Sequence, residues 1–442
     1  MANDRRTLLR TLYEGAVRAA HPTECLSGQL PAVPADGRLV IVGAGKAAAA
    51  MAVVAERHYI ETSTIGQVVG CLTPPYGYGA SLGDEVPGHL SLAEARHPAP
   101  DAASEEAAGR AHALAVSVRE KDVLLVLLSG GASSLWAAPE GIDLATKTAL
   151  TRGLLKSGAD IHEMNAVRRH LSRIKGGRLA AAGARAGRIL TLAISDVPGD
   201  DPATIGSGPT VPDPTSLADA RAILDKLAPR MEALGLGVPD AVRRALDDPE
   251  NETPKPGDPI FALSEYRIVA TPRMSLDRAA ALAREAGYRV VDLGDTVTGE
   301  AREVAAGHAR MALEARQRGE RVAIISGGEL EVTVRNRNGR GGRSQEYALA
   351  LAVAIDGVSG IAAIAADTDG IDGGDGQITD PAGAIVDGGT VAAGRARHMD
   401  AAKSLDNNDA TPYFEAIDAL VTRGPTHTNV NDFRAILVDP DA

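Results

Sequence analysis

The chain has 442 residues, with 46 basic and 58 acidic side chains and a formal charge of −12. That balance argues against nucleic acid or an anionic membrane as the main partner, although a local positive cluster can still serve an anionic ligand. The length exceeds one ordinary core and predicts two or three domains, and no apolar run approaches membrane length.

Met1–Ala20 has charges at Asp4, Arg5, Arg6 and Arg10 and reads as an amphipathic helix, not a signal peptide. Cys25 and Cys71 are the only cysteines and have no metal-binding spacing, so free thiols in a reducing cytoplasm are expected. Arg38–Val42 is a short buried strand, followed by Gly43-Ala44-Gly45-Lys46 and an alanine-rich helix to about His58. Gln67–Leu72 is the next strand and Ala102–Arg119 a helix. Val123–Leu128 (V-L-L-V-L-L) has the length and composition of a strand buried on both faces. Helices Asp143–Ser157 and His162–Arg173 follow, then strand Ile189–Ile194 and a long Gly/Pro/Asp segment, Val197–Pro214.

Asp247–Asp258 is polar and proline-rich and reads as a linker, which divides the chain into domains 1–250 and 259–442. The alternation then resumes with strands Arg267–Ala270, Tyr288–Leu293 and Arg321–Ile325 and helices to Ala286 and over Glu300–Arg318. Glu331–Arg335 alternates like a half-exposed strand. Ser344–Ile355 and Thr411–Ala419 are helices, and Ile361–Ala366 and Phe433–Val438 are strands. Such alternation predicts an α/β fold, with a mostly parallel sheet flanked by helices.

The chemistry concentrates in turns after strands. Ser129-Gly130-Gly131 follows a strand and leads to Ser133 and Ser134, where a helix can start and offer N–H groups and hydroxyls to an anion. Ser326-Gly327-Gly328-Glu329 repeats the pattern in the second half. Gly43-x-Gly45-x-x-Ala48 fits a loose dinucleotide fingerprint, but the second strand ends in Gly70-Cys71-Leu72-Thr73 without the acid that holds a ribose. Lys46 puts a positive charge in the turn instead. Asn165–Ala180 reads as a basic helix stopped by Gly176-Gly177, with Arg168 and Lys175 selected as anion ligands. Asp196, at the end of a buried strand, is placed for Mg²⁺ or for a proton. Gly339–Glu346 (G-R-G-G-R-S-Q-E) holds Arg340 and Arg343 in a glycine-rich loop that opens a helix, and guanidinium forks match phosphate and carboxylate oxygens. Asp367–Asp380 has the composition of a hard-cation loop or of turns. Asn407-Asn408 and Gly424–Asn429, which includes His427, are further polar loops.

Together these runs resemble the class II glycerate 2-kinase family, whose C-terminal part is the MOFRL domain. The matching runs are V-G-A-G-K-A at Val42, S-G-G-A-S-S-L at Ser129, V-R-R-H-L-S-R-I-K-G-G-R-L-A at Val167 and S-D-V-P-G-D-D with I-G-S-G-P-T over Ser195–Thr210. S-G-G-E at Ser326, G-R-G-G-R-S-Q-E at Gly339, D-T-D-G-I-D-G at Asp367 and G-P-T-H-T-N-V-N-D at Gly424 extend the likeness over nearly the whole chain. The resemblance implies two α/β domains: an N-terminal Rossmann-like domain and a C-terminal domain with a mixed sheet, with the active site in the cleft between them. It implies an ATP-dependent kinase that converts D-glycerate to 2-phospho-D-glycerate with Mg²⁺ or another divalent cation. The family's important lysine falls on Lys46 and its loop arginine on Arg340 or Arg343. The last loop usually has glycine where this chain has His427.

The expected catalytic residues are accordingly Lys46, Arg343 and Asp196. Gly45, Ser129, Gly130, Gly131, Ser133, Ser134, Arg168, Lys175, Gly328, Arg340 and Asn408 are expected to bind substrate or nucleotide, and Asp196 and Glu329 the metal. Which loop takes ATP and which takes glycerate stays open. The expected partners are small molecules alone, with room for a homodimer in the cytoplasm. Rival readings are an NAD(P)H-dependent hydroxypyruvate reductase, a kinase of a related sugar acid, and an anion-binding protein without turnover.

Overall fold

The computed structural model describes residues 2–374 and 376–440. The chain divides into two compact units, one of Leu26–Val269 and the other of Met1–Cys25 with Ala270–Ala442. The boundary expected at residues 250–259 thus lies inside the first unit. That stretch is polar but packed: Asn251 Nδ2 donates to the Ala245 carbonyl and Thr253 Oγ1 to Asp213 Oδ2.

The first unit is built on β1 (Leu39–Ala44), β2 (Val68–Thr73), β3 (Ser91–Leu92), β4 (Val123–Leu128), β5 (Arg188–Ile194) and β6 (Ser264–Ala270), in the order β3-β2-β1-β4-β5-β6. β1 pairs in parallel with β2 and β4, so Ala44 lies beside Thr73 on one side and Leu128 on the other. The chain therefore winds one way from β1 through β2 to β3, and the other way from β4 through β5 to β6. The carboxyl ends of β1 and β4 sit where that winding reverses, the place where open α/β sheets bind ligands. β1 is buried throughout, and each Val, Leu or Ile so buried contributes roughly 1.5–3 kcal/mol. Ala108, Ala111 and Ala115 of the helix Ala102–Val116 belong to the same core.

A second apolar cluster in this unit consists of helices alone, Leu144–Lys156, Ile161–His170, Leu217–Ala233 and Asp240–Asp247. The basic helix expected to run to Gly176 ends at His170. Ser172 instead pairs with Pro139, and Gly176 and Gly177 take φ of 58° and 82° before a new helix, Arg178–Ala182. This break turns Lys175 back toward the strand ends.

The second unit holds β7 (Arg289–Asp292), β8 (Val322–Ser326), β9 (Ile361–Asp367), β10 (Gly383–Asp387), β11 (Leu420–Val421) and β12 (Asp432–Val438), in the order β11-β10-β9-β12-β8-β7. β7 and β8 are parallel. β12 is antiparallel to both β8 and β9, which brings its first residue, Asp432, level with Asp367 at the end of β9. The sheet is mixed, as expected. The N-terminal helix, Ala2–Ala19, packs here: Leu9, Leu12, Tyr13, Ala16 and Val17 form one helical stripe with Leu276, Ala280 and Phe433. The strand expected at Glu331–Arg335 is irregular, with one bridge at Glu331. The Arg335 amide is held by Asn408 Oδ1 and the Thr333 amide by Glu300, so side chains replace ladder bonds.

Candidate active site

In the first unit, the turns after β1 and β4 interlock. Lys46 N–H donates to the Gly130 carbonyl at 2.8 Å and Ala47 N–H to Ser129 Oγ at 2.9 Å, while Ser129 N–H donates to the Ala44 carbonyl at 3.1 Å. Gly45 takes φ 133° with Ser129 lying directly against it. In a dinucleotide-binding turn the glycines leave room for a pyrophosphate and the amides point at it. Here a second turn occupies that room and takes two of those amides. Thr73, at the end of β2, accepts from Trp136 Nε1 at 3.1 Å, and no carboxylate stands at that strand end. The fingerprint is therefore closed to a nicotinamide dinucleotide.

The second turn keeps donors of its own. Among the described residues, the amides of Gly130 and Gly131 meet no acceptor. The helix expected to start near Ser133 is a single turn, Ala132–Leu135, and Ser134 Oγ donates back to the Gly131 carbonyl at 3.0 Å. Lys46 is half-buried. His97 lies against Gly131, and burial together with the Lys46 charge pushes its pKa down to about 3, which leaves the ring neutral.

Ser133 is the centre of a buried positive cluster. Arg168 Nη2 donates to Ser133 Oγ at 2.8 Å, and Lys175 Nζ reaches the same oxygen at 3.1 Å and the Ser133 carbonyl at 2.8 Å. With two cations donating to it, Ser133 passes its own proton to Ser207 Oγ at 2.6 Å. Ser207 then donates to Asn165 Oδ1 at 3.3 Å. Burial and the Arg168 charge hold Lys175 well below the usual lysine range. Lys147, absent from the sequence expectations, also belongs here: burial and Arg168 lower its pKa to about 7. Among the described residues, no carboxylate forms an ion pair with Lys147, Arg168 or Lys175. The neighbouring Arg169 is different, paired with buried Asp213 at 2.9 Å.

Asp196 is half-buried at the end of β5. In the loop it opens, Asp200 Oδ1 is buried without a hydrogen-bond partner. Carboxylate oxygens of this kind are the ligand type a hard cation takes, and Mg²⁺ needs only one or two of them from protein when phosphate and water complete its shell. No group of three or more acidic, His or Cys side chains poised for a metal occurs among the described residues.

The second unit gathers Arg343, Asp367, Asp432 and Arg434. Arg343 donates from Nε to Asp432 at 2.6 Å and from Nη2 to Asp367 at 2.7 Å, and its Nη1 lies 3.3 Å from Glu329. Its guanidinium is thus committed to three carboxylates, and those charges raise its pKa above the usual range. The N–H groups at the start of its helix, Arg343–Ala354, are also taken: Asp372 accepts from Ser344 and Gln345 at 2.9 and 2.8 Å. The donors expected to grip an anion at this helix start are thus held by carboxylates of the same unit. Arg340 pairs with Glu415 at 2.8 Å on the surface, Asn408 bonds Thr333, Arg335, Asn336 and Glu346, and Glu329 faces Arg343. Gly328, with φ 95°, lies against the Val297 backbone, which has no room for a β-carbon. In the aspartate-rich loop, Asp369 and Asp380 accept amides of their own turns, which is turn chemistry. Asp375 lies outside the described residues. Buried His427 takes φ 58° in glycine's region, and burial lowers its pKa to about 4.

Sequence reading missed Lys147, Asn165, Ser207, Asp432 and Arg434. Arg434 is buried, donates to Ser326 Oγ at 3.0 Å and to Asp432 at 2.9 Å, and bonds the Gly327 carbonyl. Its one sequence signal is a charge set between Phe433 and Ala435 in a strand that is apolar from there to its end.

Comparison with known proteins identifies the lineage. A family described as a domain of unknown function (DUF4147) matches residues 8–247, and the MOFRL family matches residues 322–432. The D-glycerate 2-kinase of Thermotoga maritima is 36% identical over 95% of both chains. The chain belongs to the glycerate kinase/MOFRL family. A crystal structure of glycerate kinase from Thermotoga maritima superposes with a TM-score of 0.83 at 35% identity, covering 99% of this chain and 100% of that one. Another relative, 44% identical over 98% of this chain and 94% of its own, is an Agrobacterium vitis protein provisionally named hydroxypyruvate reductase. The glycerate kinase/MOFRL family thus carries two names for two different reactions. In this member, no described helix is long and apolar enough to cross a membrane.

Proposed function

We propose that this protein is an ATP-dependent glycerate 2-kinase, which transfers the γ-phosphoryl group of ATP to the 2-hydroxyl of D-glycerate. The observation that carries this reading is the basic cluster around Ser133, whose Arg168 and Lys175 form no ion pair with a carboxylate among the described residues, at the winding reversal of a parallel sheet. Both substrates are anions, and phosphoryl transfer asks a protein for positioning and charge neutralisation more than for covalent chemistry.

In the step itself, the 2-hydroxyl oxygen attacks the γ-phosphorus, the bond from that phosphorus to the bridging oxygen breaks, and the hydroxyl proton leaves. Lys46 is assigned to the charge that builds on the transferring group, where one such donor is worth roughly a hundredfold or more in kcat. Arg168, Lys175 and Ser133 hold an oxyanion of one substrate. Asp196 is assigned to the 2-hydroxyl as proton acceptor or orienting group, and Asp196 with Asp200 would hold a divalent cation. Such a cation, when bound, shields the phosphate oxygens.

The reductase reading rests on the name of the Agrobacterium vitis relative. It meets two obstacles in this chain, the missing ribose acid after β2 and the Ser129 turn packed into the glycine loop. The deciding experiment incubates the protein with ATP, Mg²⁺ and D-glycerate, and separately with NADH and hydroxypyruvate. ADP formed only when glycerate is present, with a 2-phosphate in the ³¹P spectrum of the product, supports the kinase. Oxidation of NADH would overturn it, and ligand binding without either turnover would leave an anion-binding protein.

A further inference from the structure

Lys147 stands in the wrong place for a surface lysine. Its helix, Leu144–Lys156, buries Leu150, Gly153 and Leu154, and Lys147 lies on that same face, three residues before Leu150. It is 6% exposed, and its Nζ has no hydrogen-bond partner among the described residues. A buried amine without a partner is strongly unfavourable if charged, and still leaves a desolvated donor if neutral. A residue that breaks the apolar pattern of its helix without local compensation marks a site more often than a packing choice.

The charged surroundings of Lys147 come from three other elements. Arg168 lies on the helix Ile161–His170, Glu105 on the helix Ala102–Val116, and Lys175 on the turn after the first of these, where Arg169 also acts on it. Arg169 is already paired with Asp213. Two amines and a guanidinium thus remain without an ion-paired carboxylate among the described residues, Glu105 favouring the charged Lys147 without pairing with it, and Arg168 Nε is a second buried donor with no acceptor. We propose that Lys147 completes, with Arg168, Lys175 and Ser133, a buried oxyanion subsite that takes a phosphate or a carboxylate group. This deepens the kinase reading and rests on it only for the source of the oxyanion, a phosphoryl group of the nucleotide or the carboxylate of the acid.

One consequence separates this role from a structural one. Burial and neighbouring cations hold Lys147 and Lys175 below their ordinary pKa, and a bound anion favours the charged amines. Anion binding above neutral pH therefore draws protons onto the protein.

The test is titration calorimetry on the full chain at pH 8, in two buffers of different ionisation heat, with sodium phosphate, D-glycerate and ATP as separate probes. Wild type is expected to take up protons on binding. Lys147→Met, which fits the apolar face, is expected to melt no lower than wild type. It should bind the relevant anion roughly ten- to a hundredfold more weakly, the range of one charge-assisted hydrogen bond, with less proton uptake. Weaker phosphate and ATP binding assigns the subsite to a phosphoryl group, and weaker glycerate binding assigns it to the carboxylate. Unchanged affinity for all three probes overturns the proposal. If Lys147→Met does not fold, wild type decides: binding without proton uptake overturns it. Because these readouts need no turnover, loss of kinase activity and loss of the subsite remain distinguishable.

Discussion

Ser129 fills the space that Gly45 leaves open. A β-carbon built on Gly45 would stand 2.1 Å from Ser129 Oγ and 2.6 Å from the Ser129 carbonyl oxygen. Gly45→Ala therefore forces the two turns apart at a φ that side chains rarely adopt. The expected loss is about 2–4 kcal/mol of unfolding free energy, read from a urea titration. Adding Ser129→Ala should restore little, because the backbone oxygen is also in the way. Full recovery in the double variant would show that the clash is with the hydroxyl alone.

Lys46→Ala tests the charge in that turn. The expected result is a kcat lower by roughly a hundredfold or more with a nearly unchanged melting temperature, since the side chain is only half-buried. An Ala variant with full activity would return Lys46 to an ordinary surface role.

His97 gives a pH signature. Its folded pKa, about 3, lies below the ordinary value of 6.5, so the unfolded chain binds the proton more readily. The stabilising contribution is complete above pH 6.5 and is lost as pH falls toward 3. Between pH 6.5 and 5 this one group removes about 2 kcal/mol. His97→Gln should lose less stability than wild type over that interval, measured by chemical unfolding at both pH values. Parallel losses in the two proteins would show that His97 titrates normally.

Arg343→Lys distinguishes an ion-pair hub from a ligand clamp. Lysine brings one nitrogen where three carboxylates now meet a fork, and it leaves Asp367 and Asp432 short of partners. The expected cost is about 2–4 kcal/mol of stability. A rise in the KM for glycerate with no change in stability would restore the clamp.

The strands around the candidate site were legible because buried parallel strands are unbroken apolar runs, and V-L-L-V-L-L names itself. The positive cluster was half legible. Arg168 and Lys175 stood out in a basic run, but their helix ends at His170, where Ser172 pairs with Pro139, a residue 33 positions earlier in the sequence. Lys147 was invisible, since L-A-T-K-T-A-L-T-R looks like a solvated helix until the helix Leu217–Ala233 packs beside it. The carboxylate at the start of the Arg343 helix was hidden for a similar reason: Asp372, which accepts from Ser344, comes 28 residues later. β10 lay hidden between glycines and aspartates, and the alternation at Glu331–Arg335 belonged to a loop pinned by side chains.

The N-terminal helix packs into the unit formed by residues from 270 onward, and this sets an order on biosynthesis. Leu26–Val269 is continuous and can close its core while the ribosome is still working. The helix must wait, with Leu9, Leu12, Tyr13 and Val17 exposed, until β12 has emerged to receive it. Through most of translation the nascent chain thus displays an amphipathic segment with its apolar stripe uncovered, the kind of segment that chaperones hold.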